Sequence, residues 1–182
     1  ETLACGLIDI SVNGEGEETF LEIIKAVEEN TDWREIDGLS YLDEDGNLIR
    51  NSARKRVTEI DNFPYPDWDS WSIENYIEHN QVTGINLGRS LPILGSRGCP
   101  YACTFCSSPD MWTRRYIFRD SNKLVDEMAF FQKKYNVDGF TFQDLTFVVN
   151  RKKVLKFSEE LIKRNLNVTY QLPAGTRCEA LD

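Results

Sequence analysis

Long apolar runs are missing from this 182-residue chain. No stretch approaches the ~20 consecutive apolar residues that a membrane-spanning helix needs. No basic segment followed by an apolar one marks a secretory signal. With 41% hydrophobic residues and a mean hydropathy of −0.45, the composition predicts a soluble globular protein. Basic residues are scarce in the first half: residues 1–80 hold six against twenty acidic, a net charge of −14. That argues against general nucleic-acid binding by this half. Residues 81–182 hold fifteen basic and ten acidic residues, net +5. This favours an anionic cofactor but is too weak to imply DNA or RNA. The break in charge predicts two units joined near residue 80. Histidine occurs once, as His79, and cysteine five times. Three of those cysteines are clustered, which predicts a metal site in a reducing compartment, hence a cytoplasmic protein, rather than a disulfide framework. The chain opens on Glu1 rather than methionine, as expected of a fragment or a processed chain.

What the chain does have is Ser96-Arg97-Gly98-Cys99-Pro100-Tyr101-Ala102-Cys103-Thr104-Phe105-Cys106. The spacing C-x-x-x-C-x-x-C lets one short loop wrap a single inorganic centre. Thiolates are soft ligands that favour zinc or iron–sulfur clusters. Gly98 lets the backbone turn or approach the metal closely, and Pro100 hinders a helix through the loop. A structural zinc site wants four protein ligands, so Cys5, Cys178 or His79 would have to complete it from afar. A four-iron cubane on three cysteines instead keeps one iron open to a substrate or cofactor, as catalytic metal sites do.

This loop resembles the signature of the radical S-adenosylmethionine (radical SAM) enzymes, C-x-x-x-C-x-aromatic-C. The resemblance implies that Cys99, Cys103 and Cys106 hold a 4Fe–4S cluster whose fourth iron is chelated by the amino and carboxylate groups of S-adenosylmethionine. It also implies that Phe105 lies near the adenine, and that reductive cleavage of S-adenosylmethionine starts radical chemistry at an unreactive C–H bond.

Along the chain, Leu7–Val12 alternates as a strand. A helix to about Glu29 follows, with Phe20, Ile23, Ile24 and Val27 on one face. Gly14-x-Gly16 is not read as a phosphate loop, because the glutamates beside it would repel phosphate. Leu39–Leu42 and Leu48–Arg50 flank Asp43-Glu44-Asp45-Gly46 as a hairpin. Residues 52–69, with Phe63-Pro64-Tyr65-Pro66, read as a linker. A short helix follows through Tyr76, and Trp68, Trp71 and Tyr76 are expected to pack the linker onto a domain. D-x-x-V-x-G-E-G-E-x-T-F, D-G-L-S-Y…D-G-N-L-I-R-N and I-D-N-F-P-Y-P-D-W resemble the tail of the cobalamin-binding domain and linker of cobalamin-type radical SAM enzymes. The base-off cobalamin motif D-x-H-x-x-G is absent. Cobalamin is therefore an expectation for a full-length protein and not for this segment.

In the second half, Leu91–Gly95 leads into the cysteine loop. Asp120 or Ser121 caps a helix through Tyr135, with Leu124, Met128, Phe131 and Tyr135 on one face. Val137–Phe142 is a strand, Asn150 caps a helix through Arg164, and 167–172 is a third strand. Strand and helix in alternation predict parallel βαβ units with their site at the carboxyl ends of the strands. The expected fold is α/β. Residues 1–50 form the C-terminal part of a cobalamin-binding-like domain, 51–88 a linker with a short helix, and 89–182 the N-terminal part of a radical SAM partial (β/α) barrel.

The family resemblance further implies that Asp144, after the second strand, meets the amino group of S-adenosylmethionine. Arg177, after the third, is placed to pair with its carboxylate. Arg97, Arg114, Arg115 and Arg119 surround the loop as candidates to tune the cluster or contact substrate. The implied reaction on a small-molecule substrate is methyl transfer or oxidative cyclisation, with a flavodoxin or ferredoxin as electron donor. The rival reading is a non-catalytic zinc or iron–sulfur module.

Overall fold

The computed structural model describes residues 2–81, 83–174 and 176. The chain divides into two compact units. One runs to Thr58 and includes Asp110–Trp112; the other comprises Glu59–Pro109 and the chain from Thr113. Residues 51–58 thus group with the first unit and 59–88 with the second.

In the first unit, β1 (Ile10–Val12), α1 (Glu17–Glu28), β2 (Leu39–Leu42) and β3 (Leu48–Arg50) follow one another, and the strands form an antiparallel sheet in the order β1-β2-β3. The β2–β3 hairpin turns where Asp43 accepts the Asp45 and Asn47 amides at 3.0 and 2.7 Å. Leu3, Ala26, Leu39 and Tyr41 are buried. Glu15 is buried too, and its carboxylate is held by Arg56 Nε at 3.1 Å and Val57 N at 2.9 Å. The Arg56 guanidinium also bonds the Trp112 carbonyl and lies 5.3 Å over its ring. The expected apolar face of α1 is not its buried face: the helix buries Thr19 and Ala26, while Phe20, Ile24 and Val27 are exposed.

The second unit begins with two single-turn 3-10 segments, Ile60–Asn62 and Asp69–Trp71, and α2 (Ile73–Glu78). Then come β4 (Ser90–Ile93), β5 (Ser96–Arg97), α3 (Ser108–Trp112), β6 (Ile117–Phe118), α4 (Ser121–Tyr135), β7 (Gly139–Phe142), α5 (Arg151–Lys163) and β8 (Thr169–Gln171). Of α3, Asp110–Trp112 group with the first unit. The sheet order is β4-β7-β8, all parallel, with Leu91 opposite Phe140 and Phe140 opposite Tyr170. It is an open sheet. The helices start where their caps dictate: Asp120 accepts the Asn122 and Lys123 amides, and Asn150 that of Lys153.

Alternate residues of each strand share a face. Leu91, Ile93, Phe140 and Phe142 are all but inaccessible and join Leu124, Met128 and Phe131 of α4 and Phe157 and Leu161 of α5 in one core. The part of the linker segment from Glu59 packs on this unit: Asp69 bonds Lys134 and the Tyr135 hydroxyl, and Tyr65 stacks on Phe130 and Phe131. Of Trp68, Trp71 and Tyr76, only Trp68 packs against the core. Trp71 and Tyr76 are exposed, so the expectation for those two does not hold.

Candidate functional site

The cysteine loop leaves the carboxyl end of β4, where a parallel sheet presents its sites. β5 and β6 pair antiparallel, Ser96 opposite Phe118 and Arg97 opposite Ile117, and make the neck of the loop. Gly98 follows at φ 80°, a left-handed conformation that favours glycine. Beyond it Cys106 N bonds Cys103 O at 3.0 Å, turning the two residues back toward each other.

Cys99 is half-buried, while Cys103 and Cys106 are exposed. The Cys106 sulfur lies 3.2 Å from the Ser108 hydroxyl and accepts the Ser108 amide at 3.4 Å. These two hydrogen bonds, the hydroxyl first, hold the thiol below its usual pKa, favouring the thiolate that binds metal. Among the described residues no group of three or more His, Cys, Asp and Glu side chains is drawn close enough to hold a metal ion. The donor set nevertheless suits a soft centre: three cysteines on one short loop, one with its thiol pKa lowered by its neighbours. Phe105 projects from the loop and is 92% exposed. His79 follows α2, and Cys5 lies in the first unit, its thiol donating to Thr2 O at 2.9 Å. Arg177 and Cys178 lie outside the described residues.

The arginines near the loop have separate tasks. Arg97 stacks over Phe63 at 5.3 Å, and Arg114 donates to Pro100 O at 3.2 Å. Arg119 is largely buried between Asp61 at 2.7 Å and Glu127 at 2.5 Å and also donates to Leu94 O. Burial raises the Glu127 pKa even with this arginine beside it. A cavity of about 240 Å³ opens here among Ile60, Phe63, Trp68, Pro92, Arg97 and Arg119; Cys99, Cys103 and Cys106 do not line it.

Asp144 is placed at the end of β7, as its spacing predicts, but faces inward and is 3% exposed. Its Oδ2 accepts the Gly95 amide at 3.0 Å and its Oδ1 the Ser96 hydroxyl. Burial drives its pKa up to about 6, against the hydrogen bonds that favour the anion. Tyr116 completes the group beside Ser96, donating from its hydroxyl to Phe147 O at 2.8 Å. Gly95, Ser96 and Tyr116 were not among the candidates drawn from sequence. The available signal was a small Gly-Ser pair at the end of an apolar strand, which marks a close backbone approach.

An α/β chain with a parallel β4-β7-β8 sheet and a cysteine loop after the first strand has the radical SAM type of fold. No protein-family model matches the chain. It is 35% identical over 166 residues to the anaerobic magnesium-protoporphyrin IX monomethyl ester cyclase of Rubrivivax gelatinosus, covering 90% of this chain and 29% of that protein. It is 29% identical over 166 residues to an uncharacterized methyltransferase of Pyrococcus horikoshii, covering 91% of this chain and 34% of that one. The structure of the cobalamin-dependent S-adenosylmethionine radical enzyme OxsB, with aqua-cobalamin and S-adenosylmethionine bound, superimposes with a TM-score of 0.70 at 25% identity over 88% of this chain and 22% of OxsB. The methyltransferase TsrM from Kitasatospora setae, with cobalamin and a [4Fe-4S] cluster bound, shares the fold at a TM-score of 0.60 over 87% of this chain and 30% of TsrM. The chain is thus homologous, over most of its own length, to the cobalamin-associated subgroup of radical SAM enzymes. It spans about a third or less of the length of these relatives.

Proposed function

We propose that this chain is the cluster-binding part of a radical SAM enzyme acting on a small molecule. The observation that carries the reading is the C-x-x-x-C-x-x-C loop at the carboxyl end of the first strand of a parallel sheet. Cys99, Cys103 and Cys106 would hold a 4Fe–4S cluster, and the same loop would leave one iron for S-adenosylmethionine. When bound, the reduced cluster supplies the electron that cleaves the sulfonium. The chain's own residues do the holding. Ser108 lowers the pKa of the Cys106 thiol and so favours its thiolate, Phe105 would offer an apolar face for adenine, and Arg177 would supply a guanidinium for a carboxylate.

The relatives include a cyclase and methyltransferases, so oxidative cyclisation and methyl transfer are the two outcomes proposed for the whole protein. A flavodoxin or ferredoxin in the cytoplasm would supply the electron. Cobalamin is not assigned to this segment, because D-x-H-x-x-G is absent here, and remains a possible cofactor of the full-length protein only. No helix among the described residues is long and apolar enough to cross a membrane.

Anaerobic reconstitution followed by iron and sulfide assay tests the proposal. The expected result is four irons and four sulfides per chain, as the cubane requires, with loss of both on replacing any one of Cys99, Cys103 or Cys106 by alanine. Stoichiometric zinc without sulfide would return the loop to the non-catalytic class.

A further inference from the structure

We infer that Asp144 is a positioning residue for the cysteine loop: it clamps the Gly95-Ser96 take-off of that loop to the end of the second parallel strand. The inference rests on the cysteines being the cluster ligands, and it gives Asp144 a task other than meeting an ammonium group. Both carboxylate oxygens are engaged, Oδ2 by the Gly95 amide at 3.0 Å and Oδ1 by the Ser96 hydroxyl, and the residue is 3% exposed. To meet a ligand's ammonium it would have to turn out of the interior and away from these partners. A buried carboxylate hydrogen-bonded through both oxygens is an anchor.

The rest of the geometry converges on the same two residues. β4 and β7 remain in step past their ends, since Gln143 N donates to Ile93 O at 2.9 Å. Arg119 N donates to Gly95 O at 2.9 Å, so Gly95 is held through both its amide and its carbonyl. A Cβ at Gly95 would lie 2.3 Å from Phe147 Cε2 and 2.9 Å from Phe142 Cε1; only glycine lets the backbone come this close. Tyr116, tied to Phe147 O, closes the group on the far side of Ser96. Cys99 is three residues beyond Ser96, so a shift of the take-off reaches the first ligand almost undiminished. Small displacements matter in such sites because the supporting shell sets the geometry of the ligands.

The test uses Asp144→Ala, Asp144→Asn and Ser96→Ala. In cluster-free protein, Asp144→Ala should speed amide exchange at Gly95 and Ser96 by about tenfold or more, the size expected for losing a hydrogen bond to a charged group. After anaerobic reconstitution it should lower iron per chain and shift the electron paramagnetic resonance signal of the reduced cluster before any S-adenosylmethionine is added. Asp144→Asn, which keeps an oxygen for the Gly95 amide, should restore iron and signal toward wild type, and Ser96→Ala should fall between. Wild-type iron and an unaltered signal in Asp144→Ala, with only the response to S-adenosylmethionine lost, would overturn the proposal and make Asp144 a ligand contact. Unchanged exchange at Gly95 would overturn it as well. Should Asp144→Ala not fold, exchange in Ser96→Ala and Asp144→Asn decides. Failure of the cluster reading has a different signature, since the wild type itself would then take up zinc and no sulfide.

Discussion

Gly95→Ala puts one methyl group at the most crowded point beneath the cysteine loop. Its Cβ would sit 2.3 Å from Phe147 Cε2 and 2.9 Å from Phe142 Cε1. Carbon atoms in contact stand about 3.5–4.0 Å apart, so at least ~1 Å of space must be found. The rings cannot provide it by turning. Phe147 is 2% exposed, with its centroid 4.4 Å from Phe142, 5.1 Å from Phe118 and 5.6 Å from Phe157. The strain must therefore pass into the backbone. Overpacking of this kind costs about 1–3 kcal/mol. Movement of the backbone also draws the Gly95 amide from Asp144, and a hydrogen bond to a charged group contributes about 1.5–3 kcal/mol. The two effects overlap, so a loss of about 2–5 kcal/mol is expected, read by urea unfolding. In Tm this is a fall of at least ~4 °C, at about 2–4 °C per kcal/mol for a chain of this size. Phe147→Leu in the same protein should make room, and the double-mutant cycle should show a coupling of about 1 kcal/mol or more. A Gly95→Ala protein within about 0.5 kcal/mol of wild type, the range of an innocuous surface change, would show that the close approach is not there.

Asp144 should also give stability a pH dependence. Burial raises its pKa to about 6 when folded, above an unfolded value of about 3.9, so its contribution is full below pH ~4 and is lost as pH rises through ~6. Wild-type stability relative to Asp144→Asn should fall by on the order of 2–3 kcal/mol between pH 4 and 7 in urea unfolding; a flat difference would refute the buried carboxyl. Arg119→Met should destabilise by about 3–5 kcal/mol, because it leaves Glu127 buried without its partner; an unchanged urea midpoint would count against that ion pair. Cys5→Ala should reconstitute with wild-type iron, since Cys5 stands in no ligand spacing. Iron loss would point to a fourth protein ligand. Hydroxocobalamin should give no tight, His79-dependent spectral complex with this chain, and a saturable one would reopen base-off binding.

Much of the second unit was legible because its signals are local. Asp120 and Asn150 stand where a helix needs an N-cap, and both bond the amides that a cap must satisfy. Leu124, Met128 and Phe131 recur at helical spacing and are buried. Parallel pairing followed from the alternation of strand and helix. The first unit shows the limit of the same signal. Phe20, Ile24 and Val27 do share a face of α1, but periodicity says only that residues lie together, not what covers them, and they are exposed. Trp71 and Tyr76 repeat the point: aromatic identity predicted packing, and both stand in solvent while Trp68 alone reaches the core.

The sequence by itself determined the chemistry of the candidate site. Three cysteines within eight residues are held together by covalent spacing, and no rearrangement of the fold can part them by more than the loop allows. The tertiary structure alone decided which distant side chains serve that loop. Asp144 is 49 residues from Gly95, and nothing in the local pattern says whether its carboxylate points out to a ligand or in to a backbone amide. The direction is set by the register of β7 against β4, and by a glycine at which Phe147 and Phe142 leave no room for a Cβ. Arg119 was one of four arginines near the loop until Asp61 and Glu127, from segments 58 residues before it and one helix after, closed on it. Such pairings arise when strands and helices pack, because burial makes every charge find a partner, and the partner is chosen by proximity in space rather than along the chain.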